Sequence, residues 1–468
     1  MRRMITEKRP HLTRLLQSQG LTYWEGTASE GYWPDDRYYS FTNDEIKLLE
    51  KAGKDVFDMC CEAAEYLMEH TELVTEKMAI PAFALQQIKQ SWDREPAWGS
   101  VYARFDICFG GVNHPDPRLR TPKFYEFNAD TPTSVVEAAS LQWLWLEQTG
   151  HGNDQFNYII GNLIEAWQRN LALIEQNLGK SGIVVHFAIA RDEEMEEEAM
   201  NTALLIDTCQ KAGWRTKVLF MDEIAKSRTD GRFYDQAGEH IDVIFKLYPW
   251  EFIIEEPFGE AVFKDMENIG QHNEAGEYIG GTVWIEPPYK MLWSNKAIFA
   301  ILWDLFKDDP RSIWLLPTFF ENERPASLTN YARKPIFSRQ GDDLSLQADD
   351  KVLQHVDTGY YGKEGYIVQE LALPPVFKDL EGKSHFPVLG LWIIDGDVAG
   401  LGIREGTTPI TMNETPFIPH SISDVPMNYQ KCPVPDSDEI EAALSLQTYM
   451  TTASKWNAAL DYIARIFA

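Results

Sequence analysis

VYARFDICFGGVNHPDPRLRTPKFYEFNADTPTS, residues 101–134, decides how the rest of the chain is read. Val101–Phe109 alternates as a half-buried strand does, which puts Arg104 and Asp106 on one face. Gly110–Pro122 turns the chain, and Lys123–Asp130 returns it with Glu126 and Asn128 again sharing a face. A hairpin over 101–130 therefore gathers Asp106, Glu126 and Asn128: two carboxylates and an amide oxygen, with no Cys or His. Hard oxygen ligands of this kind suit Mg²⁺, which keeps positions for water and phosphate oxygens. Arg104 beside them could stabilise charge on a phosphoryl group in transfer. On spacing alone, a surface hairpin laced with salt bridges is the plainer reading.

Working outward, a basic set lies downstream. Lys296 opens a helix after Ser294-Asn295, Lys334 starts a strand, and Arg339 and Gly341 sit in the loop SRQG between the strands KPIFS and DLSL. A glycine loop with flanking cations can close over a triphosphate through backbone N–H groups and charge. Each such lysine read by itself is a surface residue. The apolar strand IVQELAL, 367–373, could offer backbone groups to a flat base, or be simply an interior strand. Arg404, closing VAGLGIRE, could face an anion or pair with Glu405. No G-x-S-x-G and no G-x-x-x-x-G-K-[ST] occurs, so neither a nucleophile elbow nor a P-loop is expected.

The remaining pattern is mixed α/β. Thr42 and Asn43 offer an N-cap to an amphipathic helix over 43–72, after an irregular aromatic segment at 21–41. Helices are expected over Ser134–Leu146 and Phe156–Leu178. From Gly182 the pattern becomes strand, helix, strand and a further strand: GIVVHFAIA, then EEMEEEAMNTALLIDTCQKA closed by Gly213, then TKVLFM and IDVIFKLY. The acidic run Asp192–Glu198 reads as the solvated first turn of that helix. A helix is expected around Ser294–Phe306, and a hairpin tip at Asp395-Gly396-Asp397. These patterns divide the chain into a helical region with the hairpin (1–180), a small α/β unit (181–290), a strand-rich region (291–420) and a helical extension (421–468).

Composition narrows the function classes. With 468 residues, 44% hydrophobic and 12% aromatic, the chain has the apolar material for a packed enzyme. Its net charge of −29 disfavours nucleic acid and anionic membranes and favours cations such as polyamines or metal ions. Five scattered cysteines indicate neither a disulfide framework nor zinc. No apolar run follows Arg2-Arg3 and no 18-residue apolar stretch occurs, so neither a signal peptide nor a membrane span is expected, and the cytoplasm is the expected compartment.

YEFNADTPTSVVEAA, FKLYPWEF, SNKAIFAILW, KPIFSRQG and VQELALP, in this order, resemble the glutathionylspermidine synthase family, and most closely its stand-alone acid–amine ligases. GYWPDDRYYSFT near the N-terminus fits the same group, and the likeness covers most of 1–420. The resemblance implies an ATP-grasp fold and an ATP- and Mg²⁺-dependent ligase that joins a carboxylic acid to an amine through an acyl phosphate, releasing ADP and phosphate. Carried onto this chain, it implies Asp106, Glu126 and Asn128 as Mg²⁺ ligands and Arg104 and Arg339 as catalytic arginines. It implies Lys296, Lys334 and Gly341 around the ATP phosphates, Gln369, Glu370 and Leu371 beside the adenine, and Arg404 near the acid substrate. The acid could be glutathione or another peptide, and the amine a polyamine.

Two departures from the family pattern stand out. Gly341-Asp342-Asp343 replaces a Gly-x-Asn run, and two carboxylates at ~4 Å from a triphosphate repel it by up to ~1 kcal/mol per pair in water-like surroundings. They must point away, bind a metal or weaken nucleotide binding. The insertion HPDPRLR also lengthens the hairpin tip. Residues 1–100 carry nothing like the amidase half of bifunctional members, so amide hydrolysis is not expected. Three readings follow: an acid–amine ligase, glutathionylspermidine synthesis itself, and a non-catalytic ATP-binding protein.

Overall fold

The alternation of 101–128 does produce a hairpin, but one set within a sheet that draws on both halves of the chain. A computed structural model describes residues 1–21, 31–94, 99–191, 195–349 and 351–451. Residues 22–30 of the aromatic segment expected at 21–41 lie outside the described residues. The chain begins with β1 (Arg2–Ile5), α1 (Leu12–Ser18) and β2 (Arg37–Phe41), and β1 pairs antiparallel with β2. Helix α2 (Asn43–Glu69) starts where the capping residues place it: Thr42 Oγ1 accepts from the Glu45 amide, and the Glu45 carboxylate accepts from that of Thr42. Its apolar stripe, Ile46, Leu49, Val56, Met59, Cys60, Ala63 and Leu67, is buried. The short helices α3 (Thr71–Glu76) and α4 (Leu85–Asp93) follow.

Strands β3 (Tyr102–Cys108) and β4 (Lys123–Asn128) are antiparallel, with Arg104 opposite Asn128 and Asp106 opposite Glu126. A bulge at Tyr125 shifts the register between Asp106 and Ile107. The inserted tip folds on itself. Asp116 accepts from the amide and guanidinium of Arg118, and Arg120 donates to the carbonyls of His114 and Pro115. The inner face of the hairpin packs aromatic on aromatic: Phe105 stacks on Phe127 at 3.9 Å between centroids, and Phe124 and Trp293 close the cluster.

A π-helical turn at Glu137–Leu141 leads into α5 (Gln142–Thr149), and α6 (Ile159–Leu178) ends at Gly179, φ +59°. Next come β5 (Val184–Ile189), α7 (Met195–Lys211), β6 (Arg215–Phe220), the two-residue pair β7 (Ala225–Lys226) and β8 (Phe233–Tyr234), β9 (Val243–Leu247), α8 (Trp250–Ile253), α9 (Gly259–Met266) and β10 (Val283–Ile285). They build a parallel sheet of order β10-β9-β5-β6. The acidic run is not simply a solvated turn. Asp192–Glu194 lie outside the described residues, whereas Glu197 and Glu198 line a cavity and Glu198 is buried.

The single helix expected near 294–306 is two, α10 (Lys290–Ser294) and α11 (Ile298–Phe306). Asn295 breaks it with an extended backbone, accepting from the Ala297 amide and donating to the Met78 carbonyl. Beyond them β11 (Thr318–Phe320), β12 (Tyr331–Pro335), β13 (Ser345–Ala348), β14 (Lys351–His355) and β15 (Tyr366–Glu370) form an antiparallel sheet of order β11-β15-β12-β13-β14. Lys334 therefore sits near the end of its strand rather than at its start, because pairing with β15 reaches back to Tyr331.

Strand β16 (Phe377–Lys378) leads to the long pair β17 (Ser384–Ile394) and β18 (Asp397–Gly406), joined by a tight Asp395-Gly396 turn in which both residues have positive φ. β17 lies between β18 and β3, so the sheet runs β18-β17-β3-β4. β19 (His420–Ile422) adds to β2 in parallel. In the C-terminal extension, α12 (Ser437–Thr451) rests Ile440 and Leu444 on Leu15 of α1, while 452–468 lie outside the described residues. The molecule is thus a mixed α/β protein with several sheets.

Candidate active site

The outer face of the β3–β4 hairpin forms one wall of a cavity bounded by the β12–β15 sheet, the loop after β12 and the segment 409–413. Alternation sends Phe105, Ile107, Phe124 and Phe127 inward and leaves Arg104, Asp106, Glu126 and Asn128 on the cavity side. One carboxamide draws the last three together: Asn128 Nδ2 lies 3.2 Å from Asp106 Oδ2 and 3.1 Å from Glu126 Oε1. Arg104 grips Asp106 with two nitrogens, at 2.7 and 3.1 Å, and donates its third to the Thr133 carbonyl. Gly390, opposite Asp106 on β17, makes room for this, since a Cβ there would come within 2.8 Å of Arg104 Cδ.

The two carboxylates are electrostatically unequal. Burial raises the pKa of Asp106, Arg104 opposes the rise, and the charge of Glu126 adds to it. Burial would raise Glu126 too, but Lys296 and Lys334, with the Asn128 amide, hold it at about 2. Lys296 Nζ is 3.1 Å from Glu126 Oε2 and donates to the Ser338 carbonyl at 2.7 Å. Lys334 Nζ donates to Gln369 Oε1 at 2.8 Å and to the Tyr125 carbonyl at 3.1 Å.

A divalent cation fits this donor set. Two close carboxylates, one with a raised pKa, favour added positive charge, and a half-turn of the Asn128 amide would present Oδ1 where Nδ2 now lies. Among the described residues no group of three or more His, Cys, Asp or Glu is arranged for a metal. An ion here would complete its shell with water or phosphate oxygens, as Mg²⁺ does.

The cavity changes character along its length. Away from the charged cluster it is apolar, lined by Ala332, Leu344, Leu346, Leu371, Ile410 and Met412, a cluster separate from the main core. Of the residues read beside a base, Leu371 contributes to this wall. Gln369 has its side chain fixed between Lys334 and Thr318, and the amides of Glu370 and Leu371 already donate to the Pro317 and Asn330 carbonyls. Gly341 has φ +79°, and a Cβ there would lie 2.8 Å from Ile410 Cγ2 and Thr411 O, so only glycine lets the loop pack on this segment. Arg339 donates to Thr131 Oγ1 at 3.3 Å.

Arg404 does not pair with Glu405. Successive residues of β18 face opposite sides of the sheet. Glu405 is buried with Arg3, Arg37, Tyr39 and His385, while Arg404 reaches the cavity and donates to the carbonyls of Thr415 and Asn413, under the Tyr32 ring. The adjacent acids in the loop after β12 are likewise resolved in part. Asp343 turns out of the cavity and accepts from the amides of Thr358, Gly359, Tyr360 and Tyr361 and from the Thr358 hydroxyl. Burial acts to raise its pKa, and these donors outweigh it and hold it at about 2.

Sequence reasoning missed Tyr125, Thr131, Ser338 and the 409–413 wall. The ADTPTS string was a signal for Thr131, but nothing local marks 409–413, which reaches the cavity only through the fold.

Comparisons with known proteins place the chain in a family. The family described as glutathionylspermidine synthase, preATP-grasp, matches residues 3–423. A provisionally named acid–amine ligase of Haemophilus influenzae is 32% identical over 423 residues, covering 88% of this chain and 97% of its own length. Trypanothione synthetase of Crithidia fasciculata is 25% identical over 369 residues, covering 75% of this chain and 52% of its own length. The bifunctional glutathionylspermidine synthetase/amidase of Escherichia coli is 24% identical over 394 residues, covering 82% and 58%. The chain thus spans a little over half the length of these two larger proteins. It belongs to the glutathionylspermidine synthase family.

Proposed function

We propose that this protein is an ATP-dependent acid–amine ligase of ATP-grasp type, forming an amide through an acyl phosphate. The observation that carries the reading is a cavity that runs from an apolar slot to paired carboxylates flanked by Lys296, Lys334 and Arg104, with Arg339 also in its lining. ATP fits that polarity, with its base against Leu346, Leu371 and Met412 and its phosphates toward the lysines. Asp106, Glu126 and Asn128 would hold Mg²⁺, which when bound screens phosphate charge and orients the terminal phosphoryl group.

The chain's own residues do the rest. Lys334 and Lys296 bind phosphate oxygens, and Arg404, with no carboxylate within ion-pair distance among the described residues, receives the acid substrate. Arg104 and Arg339 neutralise charge as the acid takes the terminal phosphoryl group and ADP leaves. The amine then displaces phosphate to leave the amide. Glutathione with spermidine is one substrate pair of this class, and other peptides and polyamines belong to it equally. A net charge of −29 suits a cationic amine and disfavours nucleic acid. Among the described residues no helix is long and apolar enough to cross a membrane.

The test is phosphate release from MgATP across a panel of small peptides and polyamines, with products identified by mass spectrometry. ADP, phosphate and an amide conjugate are expected. AMP and pyrophosphate would overturn the mechanism, and a glutathione–spermidine conjugate would fix the substrates. A non-catalytic nucleotide binder, the alternative favoured by the Asp342-Asp343 pair, would bind ATP without releasing ADP across the same panel; the Asp343 carboxylate engages the 358–361 turn, which supports the ligase reading.

A further inference from the structure

Three arginines from distant parts of the chain rest on one six-residue segment, Ala129–Ser134. Arg104 Nη1 donates to the Thr133 carbonyl at 2.6 Å, Arg339 Nη1 lies 3.3 Å from Thr131 Oγ1, and Arg404 Nη1 lies 3.4 Å from Ser134 Oγ. They come from β3, the loop after β12 and β18, and the segment is the one element all three share, beside the Asp106 carboxylate that also holds Arg104 and the Thr415 and Asn413 carbonyls that also hold Arg404. The segment belongs to no strand or helix.

It is held at Ala129, whose amide donates to Ser294 Oγ and whose carbonyl accepts from Lys290, and at Asp130. Oδ1 accepts from Lys246 Nζ at 2.7 Å, and Oδ2 accepts from the Trp250 amide at 2.7 Å. Both side chains are buried, Lys246 fully, and its ammonium lies 4.5 Å from the Trp250 ring centroid. Lys246 stands on β9, an inner strand of the parallel sheet whose five residues are all buried. An aliphatic residue there would serve the fold at least as well, because a buried ion pair recovers little more than its own desolvation cost. Its placement is explained by what it holds. We infer that Asp130 and Lys246 are positioning residues, which tie the arginine-bearing segment to the parallel sheet and so set the spacing of Arg104, Arg339 and Arg404. The inference rests on the ligase reading. Neither ATP lysine is held by this segment: Lys296 donates to Ser338 and Lys334 to Gln369.

The experiment compares Lys246→Met with the double variant Asp130→Asn/Lys246→Met, which removes both charges while conserving volume and retains at most one of the two hydrogen bonds. Wild-type enzyme and both variants are assayed for MgATP-dependent phosphate release, nucleotide KM and melting temperature. A displacement of the arginines by about 1 Å lowers kcat about a hundredfold, while the KM for ATP stays within about threefold. Lys246→Met leaves Asp130 charged and buried and so loses stability as well. The double variant regains the melting temperature but not kcat. A double variant with wild-type kcat would show that the pair serves the fold alone and would overturn the inference. Absence of turnover in the wild type on any acid–amine pair would overturn the ligase reading, and the inference with it.

Discussion

Lys334 titrates in a range where its charge can be followed. Its Nζ is buried in the cavity wall between Gln369 and the Tyr125 carbonyl, and burial lowers its pKa to about 8; Glu126 pulls it upward, while Lys296 adds to the fall. Relative to the ordinary lysine value of 10.5, this is a penalty of about 3 kcal/mol on the charged form. In the unfolded chain the amine stays protonated up to its ordinary value, so between pH 8 and 10.5 the unfolded state binds more protons. Lys334 therefore opposes folding below pH 8, and its penalty is relieved as the pH rises through that window.

Nucleotide binding has the opposite dependence, because a triphosphate requires the ammonium. Above pH 8 ATP must draw a proton onto Lys334 as it binds. The protonated fraction falls tenfold per pH unit, so apparent affinity should fall by about 1.4 kcal/mol per unit between pH 8.5 and 9.5. The terminal phosphate titrates near pH 6, well below that range, and does not mask the effect. Titration calorimetry at pH 7.5, 8.5 and 9.5, in two buffers of different ionisation enthalpy, measures affinity and proton uptake together. Uptake should approach one proton at the highest pH. Lys334→Met should bind ATP more weakly at pH 7.5 and lose this dependence. Wild-type affinity flat to pH 9.5, or a Lys334→Met variant with an undiminished slope, would refute the reasoning.

Glu126→Gln should lower turnover by about a hundredfold, as losses of charge-stabilising groups do, and should move the proton-uptake midpoint of Lys334 below pH 8, because Glu126 holds that value up; an upward move contradicts the pairing. Glu405 sits at about 2, where burial alone would raise it and His385, Arg3 and Tyr39 hold it down. The stability it contributes is fully present above its ordinary value of 4.5 and is lost as the pH falls toward 2, about 3 kcal/mol in all. Urea unfolding at pH 7 and pH 3 should show a smaller acid loss in Glu405→Gln than in the wild type, and equal losses would disprove the network's role. Asp343→Ala removes the acceptor of five hydrogen bonds and should cost about 2–4 kcal/mol, with a raised KM for ATP and Asp343→Asn falling between; an unchanged melting curve would show the 358–361 turn to be held by other contacts.

Much of the geometry was legible because it is local. A two-residue period fixes which side chains share a face, so Arg104 with Asp106 and Glu126 with Asn128 could be read before any partner strand was known. Thr42 and Glu45, three apart, mark the start of α2 in the same way. What could not be read is whatever depends on a distant element. The clearance at Gly390 has meaning only once β17 lies against β3. Asn295 looks like a helix residue until Met78 is found to take its amide. Glu405 looks like a natural partner for Arg404, yet the period that separates their faces sends it to Arg3 and Arg37, hundreds of residues away.

Asp343 shows the same limit at the point where function depended on it. As one of two adjacent acids beside a proposed phosphate loop it had three possible fates, and spacing could not choose among them, because the deciding groups lie 15–18 residues further on. Four successive backbone amides, Thr358–Tyr361, converge on its carboxylate as they would on a bound anion. Asp343 adopts the left-handed φ of +55° in the native loop, a conformation that asparagine and aspartate tolerate better than most residues. An asparagine there could keep the backbone turn, but with one acceptor oxygen instead of two it could not satisfy the same five donors. The acid therefore places its charge in a nest built for an anion and away from the cavity, and in doing so it ties the loop that carries Arg339 and Gly341 to the turn before β15.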